Sequence, residues 1–196
     1  TIVIPGSDVT YYTTTVLLVH FDQNPTGPYA LSGFLDIAHG IQPTITGAGT
    51  DALLSENIKR FGRSSLFLNN PTTLAATATG YLDYAINNNF LFVSGDFEIE
   101  AQFYPTTLGT ATSKTLFDFR EQSPDAAITL RINSSNNLVI TIDGVEVIVG
   151  DTVLTTNQWY HIAISRTTNT LRLFVNGSQE GANYTDNVSY QAHTKV

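Results

Sequence analysis

SGDFEIEAQFYP (94–105), KTLFDFR (114–120), AAITLRI (126–132), LVITIDG (138–144), QWYHIAISR (158–166) and NTLRLFVNG (169–177) follow one another at near-regular spacing, and this succession over Gly95–Gln179 decides the fold. Short runs of β-branched and aromatic residues separated by Gly, Pro, Asn, Asp and Ser are the pattern of an antiparallel sandwich. The sharpest alternation is at Asp96–Phe103, where Phe97, Ile99, Ala101 and Phe103 interleave with Asp96, Glu98, Glu100 and Gln102. One face of that strand is therefore expected in the core and the other against water or a ligand. Phe97, Ile99, Phe103, Ile162, Ile164, Leu171, Leu173 and Val175 are the expected core positions.

Further strands are expected at Leu116–Phe119, Ala127–Ile132, Leu138–Ile142 and Val145–Val149, with Asp143 and Gly144 in the tight turn before the last. Trp159–Ser165 should pair with Leu171–Val175, and Asn176 and Gly177 supply the positive φ angles of a type I′ turn. Upstream, Val16–Phe21 reads as a strand followed by a turn over Asp22–Pro28. Ser64–Leu68 and Tyr81–Tyr84 read as short strands, with Asn69, Asn70 and Pro71 turning the chain between them. Pro43, Gly47 and Gly49 break the periodicity of the 33–59 region, and Asp51–Ile58 reads either as a short helix or as an irregular edge.

Composition narrows the function classes. The 196 residues suffice for one two-layer core, and the formal charge of -8 is spread along the chain. No Lys or Arg precedes Lys59, and Arg120, Arg131, Arg166 and Arg172 stand apart from one another, so nothing matches a nucleic-acid surface. Only 13% of residues are charged, leaving solubility to neutral hydroxyls and amides, a surface that suits a lectin or a particle component. No segment approaches the roughly 20 apolar residues of a membrane span, so membrane insertion is not expected, and TIVIPGSDVTYYTTT at the start does not read as a secretory leader. With no Cys, disulfides contribute nothing.

The order FLFVSGDFEIEAQFYPTTL, KTLFDFR, NQWYHIAISRTTNTLRLFVNG resembles the laminin G type of concanavalin A-like jelly roll. LLVHFD, ending at Asp22, and FGRSSLFLN (61–69) resemble the opening of such modules. The resemblance spans about Val16–Gln179 and implies an all-β fold, a two-sheet antiparallel jelly-roll sandwich. The expected organisation is an N-terminal extension or edge segment at 1–15, the sandwich at 16–180 and a C-terminal extension at 181–196. The family pattern closes with a strand pair after the VNG hairpin, whereas this chain reads SYQAHTKV there; an edge left open would invite contact with a neighbouring subunit.

Modules with this opening and this Thr/Asn-rich character look like those of bacteriophage head and tail proteins. The resemblance thus implies a non-enzymatic structural module at a virion surface, in capsid decoration or in a tail or fibre, with other virion proteins and copies of itself as partners. The alternative is a carbohydrate-binding adhesion module, extracellular if not viral, that takes a host-surface glycan. Tyr104, Trp159, Tyr160 and Asn176 are its candidate ligand residues, because Tyr and Trp offer apolar area with a polar handle and Asn an amide for sugar hydroxyls.

A glycoside hydrolase is the third reading. Asp96, Glu98 and Glu100 at i, i+2, i+4 share one strand face with neighbouring Cα atoms about 7 Å apart, and glycosidases flank the scissile bond with two carboxylates. Sugar-cleaving enzymes on this sandwich carry a Glu, x, Asp, x, x, Glu strand or a close relative of it, an order this chain does not match; the bland alternative is a solvated sheet face. No cofactor is assigned. Asp22, Asp36, Asp83, Asp118, Asp125 and Asp143 lie near strand ends where carbonyls could complete a calcium shell, yet none has the spacing of a calcium loop. His20, His39, His161 and His193 are too dispersed for a zinc motif. ITGAGTDALL has no phosphate-loop Lys, and the sequons at Asn133, Asn176, Asn183 and Asn187 are what an Asn/Ser/Thr-rich chain yields by composition.

Overall fold

The computed structural model describes residues 43–46, 52–68, 80–84, 92–108, 114–119 and 128–190. The expected strand at Val16–Phe21, the turn at Asp22–Pro28, the 1–15 segment and the turn at Asn69–Pro71 lie outside the described residues. The chain divides into two compact units, Thr1–Ala85 and Ile86–Val196.

In the first unit, β1 (Thr44–Thr46) pairs antiparallel with β4 (Tyr81–Asp83), and β2 (Ala52–Ser55) pairs with β3 (Ser65–Leu68). Of Asp51–Ile58, read either as a short helix or as an irregular edge, Ala52–Ser55 is a strand. The two strands expected on either side of Pro71 do not pair with each other; each takes a partner from earlier in the chain. The Ser65 hydroxyl donates to the Ile58 carbonyl at 2.5 Å, tying the β2–β3 connection to the strand it leads into.

The second unit is the sandwich. One antiparallel sheet has the order β12 (Ser178–Thr185), β11 (Thr170–Val175), β10 (Tyr160–Thr167), β5 (Phe97–Phe103). The other has the order β6 (Lys114–Asp118), β7 (Ile128–Ile132), β8 (Asn137–Ile142), β9 (Val145–Val153). Period-2 alternation drives one face of each into a shared core of Ile128, Leu130, Ile132, Leu138, Ile140, Ile162, Ile164, Leu171, Leu173 and Val175, with Tyr160 and Tyr190. Phe97 and Phe103 pack against this cluster without being buried in it, and Ile99 is half-buried outside it. The difference from expectation follows from position, because β5 ends its sheet order and has a neighbour on one side only among the described strands.

The hairpin turns are differently assigned from the sequence reading. Asp143 and Gly144 do form the β8–β9 turn, with φ of 52° and 79°. Asn176 and Gly177, at 51° and 81°, close β11 onto β12. The β10–β11 turn is instead made by Thr168 and Asn169, at 48° and 59°. A β-branched residue is strained at positive φ, and the Thr168 N–H is held at 2.8 Å by the Asp96 carboxylate, which anchors that turn.

β12 was not expected as a strand and crosses the expected start of a C-terminal extension at 181. SQEGANYT has no apolar alternation, for three physical reasons. A register shift between Leu171 and Leu173 interrupts its pairing with β11. Glu180 points inward, is 5% exposed, and accepts from the Thr152 N–H and hydroxyl, each at 2.7 Å. Gly181, with φ of 63°, passes so close to β9 that an added Cβ would lie 2.5 Å from the Val149 carbonyl oxygen. The Gly181 N–H also donates to Asp151 at 3.0 Å, so β12 and β9 are joined across the side of the sandwich by side chains instead of a ladder.

At the far end of β10, Arg166 is fully buried. Its guanidinium donates to Asp186 at 3.1 Å and to the carbonyls of Val188, Val93 and Gly95 at 2.9, 2.9 and 2.6 Å. It lies 4.8 Å from the Phe97 ring centroid and 5.0 Å from that of Tyr190. Asp186 also accepts from the Tyr190 hydroxyl and the Val188 N–H, both at 3.0 Å, and Tyr190 bridges back to Val93. Chain segments 92–97 and 186–190 therefore close on one cation. Asp186→Ala, which strands that cation in the core, is expected to cost about 3–5 kcal/mol in urea unfolding; a loss under about 1 kcal/mol would show that the pair is not buried.

Burial, followed by the charge and hydrogen bond of Asp186, pushes the Tyr190 phenol far above its ordinary value, with the Arg166 charge opposing. An unfolded tyrosine ionises near pH ~10, so above that point the unfolded chain loses a proton the fold retains. The contribution of Tyr190 is complete below that pH and is lost as pH rises. Thermal melts at about pH 8 and about pH 11 should show a smaller alkaline drop in Tyr190→Phe than in the wild type. Equal drops would remove Tyr190 from this role.

Candidate functional site

The register of β10 on β5 sets Tyr160 opposite Phe103, so the adjoining residues, Trp159 and Tyr104, leave the same end of the sheet together. Their rings meet at 5.2 Å between centroids with a 58° tilt, and both side chains are half-buried. Beneath them the loop from 154 to 159 is built on Tyr160. Tyr160 as a whole is 4% exposed. Its hydroxyl accepts from the Thr155 N–H at 2.8 Å and from the Gln158 amide. Burial pushes this phenol up, and the hydrogen bonds from Thr155 and Gln158 outweigh it, leaving the group below its ordinary value.

Asn157, at φ 64°, turns the loop, and its N–H donates to the Pro105 carbonyl at 2.9 Å. Pro105 is buried, Leu154 is buried at the other end of the loop, and Thr106, Thr107, Thr155, Thr156, Asn157 and Gln158 are exposed. The result is an aromatic pair in a rim of hydroxyls and amides, fixed at both ends by core residues. On the 104–108 loop, Lys114 donates from its ammonium group to the Thr107 carbonyl at 2.8 Å and hydroxyl at 3.0 Å.

Of the four candidate ligand residues, the fold thus brings Tyr104 and Trp159 together and uses Tyr160 as their buried support. Asn176 lies at the same end on the neighbouring strand, but its side chain is committed. Its Oδ1 accepts from the His161 N–H at 2.9 Å and its own N–H donates to the His161 carbonyl at 2.8 Å. It stands in for a ladder carbonyl where β11 turns away. Thr155, Asn157 and Gln158 were not singled out from sequence. The signal available was TTNQWY, a polar turn that runs straight into two aromatics.

The carboxylates separate in function. Asp96 anchors the β10–β11 turn. Glu98 and Glu100 are exposed on the outer face of β5, and Glu100 pairs with His161 Nε2 at 2.9 Å with both side chains open to solvent. His161 is thus a cross-strand pairing residue on a polar sheet face. Among the described residues, no group of three or more His, Cys, Asp or Glu side chains could hold a metal ion. Asp22, Asp36, Asp125, His20, His39 and His193 lie outside the described residues.

Tyr104→Ala should open one side of the indole. Trp159 is the sole tryptophan, so its emission should shift to the red while the urea midpoint moves by no more than about 1 kcal/mol equivalent. An unchanged spectrum would mean that the two rings are not in contact.

No curated protein sequence matches the chain. The model of the concanavalin A-like lectin/glucanases superfamily matches residues 77–195, more than half of the chain and all of the sandwich strands. The sandwich of two four-stranded antiparallel sheets falls within that match, and the chain belongs to the concanavalin A-like lectin/glucanase superfamily.

Proposed function

We propose that the protein is a non-catalytic glycan-binding module that holds its ligand at the loop end of the sandwich. The observation that carries this reading is the Tyr104–Trp159 pair, half-buried and ringed by exposed Thr, Asn and Gln side chains. Aromatic faces supply apolar area to the C–H faces of a sugar ring, and neutral donors and acceptors match its hydroxyls. Both loops are anchored to the core, so little conformational freedom is lost on binding. Glu98 and Glu100, the pair on which hydrolysis would depend, sit on the outer sheet face, where Glu100 is engaged by His161.

A structural role, the virion-surface expectation among the sequence readings, is favoured by a different observation. Val145, Val149 and Val153 recur along β9 and are 65%, 43% and 58% exposed, an apolar row of the kind subunit contacts cover. The two roles are compatible in a surface protein that binds glycans weakly through many copies.

A glycan array probed with the full chain should show binding that Trp159→Ala weakens by about tenfold or more, with the melting temperature preserved and the bound glycan recovered uncleaved. Binding unaffected by Trp159→Ala would move the site elsewhere. If no glycan binds, and light scattering finds a discrete oligomer that Val149→Lys dissociates, the structural reading replaces this one.

A further inference from the structure

We propose that the ligand of the Tyr104–Trp159 rim is an acidic saccharide, with Lys114 receiving its carboxylate or sulfate group. This inference rests on the glycan-binding reading and narrows the ligand class.

The surroundings of Lys114 single it out. In a chain with a net charge of -8, carboxylates are plentiful. In the sandwich, Arg131 pairs with Glu146 at 2.6 Å and Arg166 with Asp186 at 3.1 Å, while Arg172 lies opposite Ser165 near the β10–β11 turn, away from the aromatic rim. Lys114 has no carboxylate partner among the described residues; its contacts there are the neutral carbonyl and hydroxyl of Thr107. Burial lowers its ammonium group from the ordinary value, and no acidic neighbour among the described residues offsets that. A half-buried ammonium whose contacts among the described residues are neutral is favoured by an anion that completes its shell. An ammonium has three donors, and Thr107 takes two, so one is left to point outward.

Position links this donor to the aromatic pair. Thr107 lies three residues beyond Tyr104 on the loop whose Pro105 carbonyl is bonded to Asn157. Three residues span at most about 11 Å, the reach of a short oligosaccharide. One ring stacked at Tyr104 and Trp159 would put an acidic substituent of the same or the next ring near Lys114, and the Thr107 hydroxyl is placed to share that group.

The test is an array carrying matched acidic and neutral glycans, including galacturonate oligomers and their methyl esters, probed at low and high salt with wild type, Lys114→Gln and Lys114→Arg. The inference expects acidic members to bind about tenfold better than their neutral partners, the gain expected of a charge-assisted hydrogen bond. That preference should fall with salt, disappear in Lys114→Gln and survive in Lys114→Arg. Salt dependence in the wild type stands as a readout even if a variant fails to fold. Neutral and acidic glycans binding alike, with Lys114→Gln unchanged, would overturn the acidic-ligand inference and leave glycan binding intact. No binding by any glycan would overturn the glycan reading itself.

Discussion

Arg166 and Asp186 form the contact on which the sandwich depends. A guanidinium and a carboxylate, both with no exposed side-chain surface, are held against a core cluster of aliphatic and aromatic side chains. Desolvating two such groups is expensive, and their mutual attraction alone does not restore the loss. The deficit is offset by a dense shell of further partners: the carbonyls of Val93, Gly95 and Val188, the Tyr190 hydroxyl, and the rings of Phe97 and Tyr190. Each belongs to a segment distant in sequence from β10. A single cation thereby specifies how 92–97 and 186–190 meet, something that interchangeable apolar contacts would leave loosely defined.

This latch and the aromatic rim lie at opposite ends of the same strand. β10 begins at Tyr160, which supports Trp159 and its loop, and approaches its end at Arg166, which gathers the distant segments. Along the side of the sandwich, Glu180 on Thr152 and Gly181 against Val149 hold β12 to β9. One end and one side are thus tied by polar contacts that tolerate little displacement. The other end is free to present side chains from short, anchored loops, the arrangement in which a scaffold preorganises a site.

Most of the strands from β5 to β11 were legible because their buried faces alternate with period two and their turns carry Gly, Asn and Asp. What escaped reading was what polar residues do inside. Arg166 looks like an isolated surface charge until Asp186 is placed beside it, twenty residues on. β12 hides because its inward residue is a glutamate satisfied by Thr152 and because a register shift breaks its pattern. Asn176 and Gly177 were recognised as turn residues, but the turn between β10 and β11 is made by Thr168 with help from Asp96, a pairing across 72 positions. The site was legible in pieces: Tyr104 and Trp159 stood out by type, while their contact depends on the β5–β10 register, and the support given by Tyr160 depends on loop hydrogen bonds that composition does not encode.

On the proposed reading, ligands are held at the loop end and not on the carboxylate face of β5. The most direct test is a two-dimensional NMR titration of the full chain with the oligosaccharide selected on the array, following the single Trp159 indole N–H together with the backbone amides. The indole signal and the amides of Tyr104, Thr106, Thr107 and 155–158 are expected to move together, while those of Glu98, Glu100 and Ser165 stay in place. A static indole with shifts concentrated on Glu98, Glu100 and Ser165 would contradict it and put the ligand on the outer face of the sheet.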